Sequence, residues 1–179
     1  MLLLDGIVLG LVAGFAAGGS LKHLGNTHLH GEALMLILLV AQLSIPALAE
    51  RFEVPKTPAL AIWLLTMAGL VLLALWNRHV PGMLLVAIGI SLNVLVIGFN
   101  SGMPVSLEAV RWLDPAAAPV FDLLHGPLTE QTALAALADV VPVPGPSWHR
   151  GVASIGDFAL MFGVALFIHN GMRRESDTG

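Results

Sequence analysis

Residues 81–99 read PGMLLVAIGISLNVLVIGF, a run without one charged side chain. As an α-helix, at 1.5 Å of rise per residue, it would extend roughly 28 Å, close to the hydrocarbon thickness of a bilayer. Working outward, comparable runs recur at Leu2–Gly19, Ala33–Ala49, Pro58–Trp76 and Val152–Asn170. Ala33–Ala49 is short for a span, and Val152–Asn170 carries Asp157. These runs predict an all-α fold, a polytopic transmembrane helical bundle of about five spans. Residues 1–179 are read as a single integral membrane domain. Between Pro81–Phe99 and Val152–Asn170 lies a structured extracytoplasmic loop, residues 100–151, expected to carry short helices.

Composition points the same way. The chain is 56% hydrophobic and 11% charged, whereas soluble domains carry about 25% charged residues. A lipid bilayer is therefore the expected surroundings. The net charge is only −4 and the eight Lys and Arg are scattered, so no basic patch for nucleic acid is present. Cysteine is absent, which removes disulfides, thiolate metal ligands and cysteine nucleophiles. Tyrosine is absent as well, leaving Trp63, Trp76, Trp112 and Trp148 as candidate interface anchors. The N-terminal run lacks a basic start and has Asp5 instead, so it is read as a span rather than a signal peptide.

Within the loop, Ser106–Leu113 is expected to be a helix capped by Ser106, with Glu108 at its positive end. A second helix is expected over Glu130–Val141, opened by Thr129, before Pro142, Pro144 and Pro146 enforce an extended segment. Lys22, Arg78, Arg173 and Arg174 fall on one side of the membrane, and Arg51, Lys56, Arg111 and Arg150 on the other. The first set sits on fewer loop residues and the second side holds most of the acids. The expected topology is multi-pass, with the N-terminus outside and the C-terminus cytoplasmic.

Gly6, Gly10, Gly14 and Gly18 recur at every fourth position of the first run. Small residues at this spacing let helices approach closely in lipid. The stripe serves either packing inside the bundle or a face for a second copy or a membrane-complex partner.

Polar side chains inside apolar runs need a partner or a function. Asn93 and Asn100 lie seven residues apart, near one helical face. Asn93 suits an interhelical hydrogen bond or a site; Asn100, before Gly102 and Pro104, suits a left-handed helix end or a site. Ser154-Ile155-Gly156-Asp157 has the form of a capping box, an alternative to a site role for Asp157. Asp139 would fall in the last turn of the Glu130–Val141 helix, where the dipole disfavours an anion. His125 is read as a loop histidine or an acid–base group. Asn93, Asn100, His125, Asp139, Ser154 and Asp157 are the candidate ligand-binding residues. His23, His28 and His30 cluster in a short loop and read as solvated side chains; no metal site is expected and no cofactor is specified. Gln42 and Pro46 mark either a cavity wall or a kink.

Asn100-Ser101-Gly102-Met103-Pro104-Val105, Leu137-Ala138-Asp139-Val140-Val141-Pro142 and Ser154-Ile155-Gly156-Asp157 resemble the motifs of a family of small bacterial integral membrane proteins catalogued as a domain of unknown function. In that family glycine is preferred where this chain has Ser101 and Ala138. The resemblance would cover nearly the whole chain and implies the bacterial plasma membrane; it implies no catalytic residue. Three functional classes stay open. The chain binds or moves a small molecule, lipid or ion through a polar site at the outer end of the bundle. Alternatively it is a non-catalytic subunit or assembly factor of a membrane complex. In the third it is an intramembrane enzyme acting on a lipid-linked substrate, with His125, Asp139 and Asp157 as acid and base.

Overall fold

The computed structural model describes residues 2–117, 121–147 and 149–173. Trp148 and Arg174, an expected anchor and an expected cytoplasmic charge, lie outside the described residues. The fold is a helical bundle with its longest loop folded over one end. Four helices are long and apolar enough to cross a membrane: α3 (Glu32–Arg51), α4 (Lys56–Trp76), α5 (Met83–Asn100) and α7 (Ile155–Arg173). α1 (Leu2–Ala16) is a shorter apolar helix, and α2 (Leu21–Gly25) a single turn capped by Ser20.

α3 lies antiparallel to α4, and a polar clasp joins them in the apolar layer. The Gln42 amide donates to Thr66 Oγ1 at 2.7 Å and to the Trp63 carbonyl at 3.2 Å, while Trp63 Nε1 donates to the Gln42 carbonyl at 3.3 Å. Gln42 thus ties two helices, and α3 continues through Pro46. Trp63 is buried in a core with Leu60, Met67 and Leu70 of α4 and Ile90, Val96 and Ile97 of α5. It is therefore no interface anchor, because the Gln42 contacts turn it inward. Trp76 and Trp112 are exposed. Leu43, Leu65 and Leu72 face outward, at 83%, 71% and 67% exposure. Such surface is incompatible with water and suits lipid, so the protein is membrane-associated.

Helix approach is governed by glycine. Gly82 and Gly89 of the α5 segment meet Gly163 and Gly156 of α7, in antiparallel register. A Cβ on Gly89 would lie 2.6 Å from the Gly156 carbonyl oxygen, and one on Gly82 2.1 Å from that of Gly163. α1 packs parallel to α7. There a Cβ on Gly6 would stand 2.5 Å from the Met161 carbonyl oxygen, one on Gly10 2.8 Å from that of Ala165, and one on Gly14 2.4 Å from Met172 Sδ. The stripe is thus occupied within the chain. Gly18 does not belong to it: the helix ends at Ala16, and Gly18 turns the chain with φ +77° and nothing within 4 Å of a Cβ. The turn lets Ser20 N–H donate to the Met172 carbonyl at 2.9 Å.

The loop contains strands that its sequence did not announce. β1 (Met103–Val105) pairs in parallel with β2 (His125–Pro127), and β3 (Val141–Val143) pairs antiparallel with β4 (Gly151–Ala153). The expected helix at Ser106–Leu113 is α6 (Leu107–Leu113), where Ser106 Oγ accepts from Ala109 N–H. The expected helix over Glu130–Val141 does not form; only a 3₁₀ turn, Ala135–Leu137, lies there. Asn100 is the reason. Its amide donates to the Ala133 carbonyl and its Oδ1 accepts from Ala133 N–H, both at 2.9 Å. Leu134 follows in a left-handed conformation, φ 55°. Asp139 N–H then donates to the Pro104 carbonyl at 3.0 Å and the Asp139 carbonyl accepts from Ser106 N–H at 2.8 Å, drawing the chain out beside β1. Asn100 is also not the left-handed helix end; Ser101 is, with φ 55°. In Asn100→Ala, amide exchange over residues 129–137 should rise about tenfold, matching about 1.4 kcal/mol lost with the two bonds. Unchanged exchange there, measured by hydrogen–deuterium mass spectrometry, would contradict this anchoring role.

Candidate functional site

The loop end of the bundle gathers the N-termini of α1, α4 and α7, the C-terminus of α5 and the described residues of the 101–154 segment. Ser154 precedes α7 and caps it. Its Oγ accepts from Asp157 N–H, and Asp157 Oδ2 accepts from Ser154 N–H, both at 3.0 Å. This reciprocal box satisfies two donors that a helix start leaves free. α5 contributes Asn93 from the facing helix: its amide donates to Asp157 Oδ1 at 2.8 Å, and its Oδ1 accepts from the Ser154 hydroxyl at 3.0 Å. The close approach at Gly89 and Gly156 brings Asn93 this near. Both Asp157 oxygens are therefore engaged, and the carboxylate is held in one orientation.

Asp139 faces the same region from the loop. It is only 7% exposed, and its Oδ1 has no hydrogen-bond partner among the described residues. Burial, and secondarily the neighbouring Asp157 charge, push its carboxyl up to about 7. Asp139 and Asp157 line a cavity of about 260 Å³ together with His125, His149, Leu3 and Leu160. A second cavity, of about 330 Å³, lies between α6 and β4 and includes Asp114, Phe121 and Arg150. His125, Asp139, Gly151 and Val152 line both, so Asp139 stands in a shared wall.

The flanking charges are mutually engaged. His125 Nδ1 lies 2.9 Å from Asp122 Oδ1. His149 Nε2 lies 2.7 Å from Asp5 Oδ1, joining the loop to the first turn of α1. Arg150 pairs with Asp114, which follows α6.

Four of the sequence-derived candidates, Asp139, Asp157, Asn93 and Ser154, thus meet. Asp139 and Asp157 line the cleft; Asn93 and Ser154 sit behind Asp157 and fix it. His125 lines the cleft as well. Asn100 does not join them: it lines a separate cavity of about 280 Å³ with Lys56, Ser101, Thr129 and Thr132. The β1–β2 ribbon divides the two regions, Val105 and His125 lining the acidic side and Pro104 and Gly126 the other. Sequence reasoning missed His149 and Asp5. Asp5 was an acid in an apolar run, a usable signal, but its partner lies 144 positions away.

A protein of Thermotoga maritima, described as uncharacterized, is 36% identical over 99 residues, or 55% of this chain. The match spans 56% of that relative's length. No solved structure matches the chain. Residues 26–169 match the model of a family of unknown function, DUF5317, a stretch that holds Asn93, Asp139, Ser154 and Asp157 but leaves α1 outside. The chain belongs to the family of unknown function DUF5317.

Proposed function

We propose that this chain is an integral protein of the bacterial plasma membrane that binds a small solute in the Asp139 cleft, at the outward-facing end of its bundle. The observation that carries the reading is Asp139, a buried residue lining the cavity whose carboxyl has one oxygen without a partner among the described residues. Buried carboxylates normally have their hydrogen bonds supplied. A group that lacks them, beside a second carboxylate already held rigid, suits a bound donor. The outward orientation rests on the density of Lys22, Arg78 and Arg173 on short connections at the opposite end, whereas Arg51, Lys56, Arg111 and Arg150 are spread over far more loop residues. The subunit reading loses its main support, because Gly6, Gly10 and Gly14 are covered by α7.

The test is native mass spectrometry of the protein extracted gently from its own membrane. The wild type should carry a stoichiometric small added mass, reduced at least tenfold in Asp139→Asn. A bare wild-type chain, or an adduct unchanged in the variant, would overturn the assignment. Asp139 is the residue to change because Asp157 also caps α7, so its loss would mix binding with folding.

A further inference from the structure

The charges around Asp139 narrow the kind of solute. α7 presents Asp157, and β2 presents His125, whose Nδ1 is occupied by Asp122. The β3–β4 connection presents His149, engaged with Asp5 of α1, and Arg150, engaged with Asp114 just after α6. α5 offers only the neutral Asn93, behind Asp157. Among the described residues no Lys or Arg lines the smaller cavity, and the Arg150 lining the larger one is already paired. Two carboxylates therefore face a half-apolar space without a free counter-charge. Such a pair is neutralised in one of two ways, by a proton on one carboxyl or by a cation between them.

Size and lining select the cation. No group of three or more His, Cys, Asp or Glu side chains placed to hold a metal occurs among the described residues. A divalent metal asks for a larger set of oxygen ligands than this cleft assembles. The cavity, about 260 Å³, is also far larger than a bare ion, and Leu2, Leu3 and Leu160 line it. An alkyl chain fits that wall, and an ammonium head supplies N–H donors to the Asp139 carboxyl, whose Oδ1 has no partner among the described residues.

We propose that the cleft takes a small alkylammonium cation in exchange for the proton on Asp139. The inference rests on the reading of the cleft as a solute site. The exchange balances: the Asp139 carboxylic acid releases one proton to solvent, and its carboxylate pairs with the incoming cation. No other bond is made or broken. Asp157, held by Asn93 and Ser154, is a positioning partner for the head group.

The experiment is calorimetric titration of the whole chain, in phosphatidylcholine nanodiscs, with n-propylammonium, sodium ion and the neutral n-propanol. Runs at pH 5.5 to 8.5 in two buffers of different ionisation enthalpy count released protons. Propylammonium affinity should rise about tenfold per pH unit and level off above about 7, where Asp139 ionises. One proton should leave per cation bound below that point, and sodium and propanol should bind at least tenfold more weakly. Asp139→Asn should bind propylammonium at least tenfold more weakly at pH 8, with no pH dependence. A pH-independent affinity, equal binding by the variant, or a preference for propanol or sodium would overturn the exchange. Absence of propylammonium binding would overturn it too. If the native adduct then persists, the solute site stands and only the cation assignment falls; if the native chain is bare, both fall.

Discussion

Gly89→Leu should collapse the bundle, while Gly98→Leu, nine residues on in the same helix, should leave it intact. A Cβ at Gly89 would lie 2.6 Å from the Gly156 carbonyl oxygen and 2.8 Å from Leu160 N. Both are backbone atoms of α7, so no side-chain rotation relieves the clash. A Cβ at Gly98 would meet nothing within 4 Å. Both substitutions improve helix propensity equally, by about 0.8 kcal/mol, so the difference between them reports packing alone. Overpacking costs about 1–3 kcal/mol where neighbours can shift, and here a whole helix must move. It would also pull Asn93 away from Asp157 and Ser154, adding about 1–3 kcal/mol for polar groups left unpaired. The expected result for Gly89→Leu is a fall of about 10 °C or more in the unfolding midpoint in mild detergent, or failure to recover folded protein. Equal midpoints for the two variants would refute the glycine-mediated crossing of α5 and α7.

Asp139→Asn should stabilise the protein in alkaline solution and do little in acid. The folded state holds the Asp139 proton up to about pH 7, whereas an unfolded aspartate loses it near pH 4. Between those values the folded chain binds more protons than the unfolded one, so stability falls as pH rises. The proton-linked stabilisation is fully present below about pH 4 and is lost as pH passes about 7. Asparagine keeps the shape without the charge. At pH 8 it should add on the order of 1–3 kcal/mol, and the difference should shrink toward zero at pH 4.5. Thermal unfolding at the two pH values measures it. A variant less stable than wild type at pH 8 would mean that Asp139 has a counter-charge in the fold.

Much of this architecture is legible in local sequence. Apolar length locates α3, α4, α5 and α7 to within a few residues, and Ser106 and Ser154 mark helix starts because a cap acts within four residues of itself. The four-residue spacing of Gly6, Gly10 and Gly14 gives away a close-packed face. The seven-residue spacing of Gly82 with Gly89, and of Gly156 with Gly163, carries the same message, but only the antiparallel register shows that the pairs meet. What stayed hidden depends on distant partners. The run from Glu130 to Val141 has good helix formers, yet Asn100 fixes Ala133 in place and β1 draws Asp139 into an extended path. Parallel pairing of β1 with β2 joins segments of three residues each, too short for an alternating pattern to register. Asn93 and Asp157 stand out singly in the sequence, because polar side chains in apolar runs are conspicuous. The grouping of the candidate site was not legible: Asn100 reads like Asn93 in sequence, and only the β1–β2 ribbon separates them.

Asp139 and Asp157 line the cleft at the loop end of the bundle, and the absence of native cysteine allows a direct measurement of its access to water and its charge. Val143, which lines the cleft beside Asp139, is replaced by cysteine. The thiol is then reacted in intact cells with 2-aminoethyl and 2-sulfonatoethyl methanethiosulfonate, of opposite charge. The cationic reagent should react at least tenfold faster, after correction against a loop cysteine at Gln131, and Asp139→Asn with Asp157 retained should cut that preference severalfold. Equal rates for the two reagents, or no reaction with either, would contradict a water-accessible, carboxylate-lined cleft.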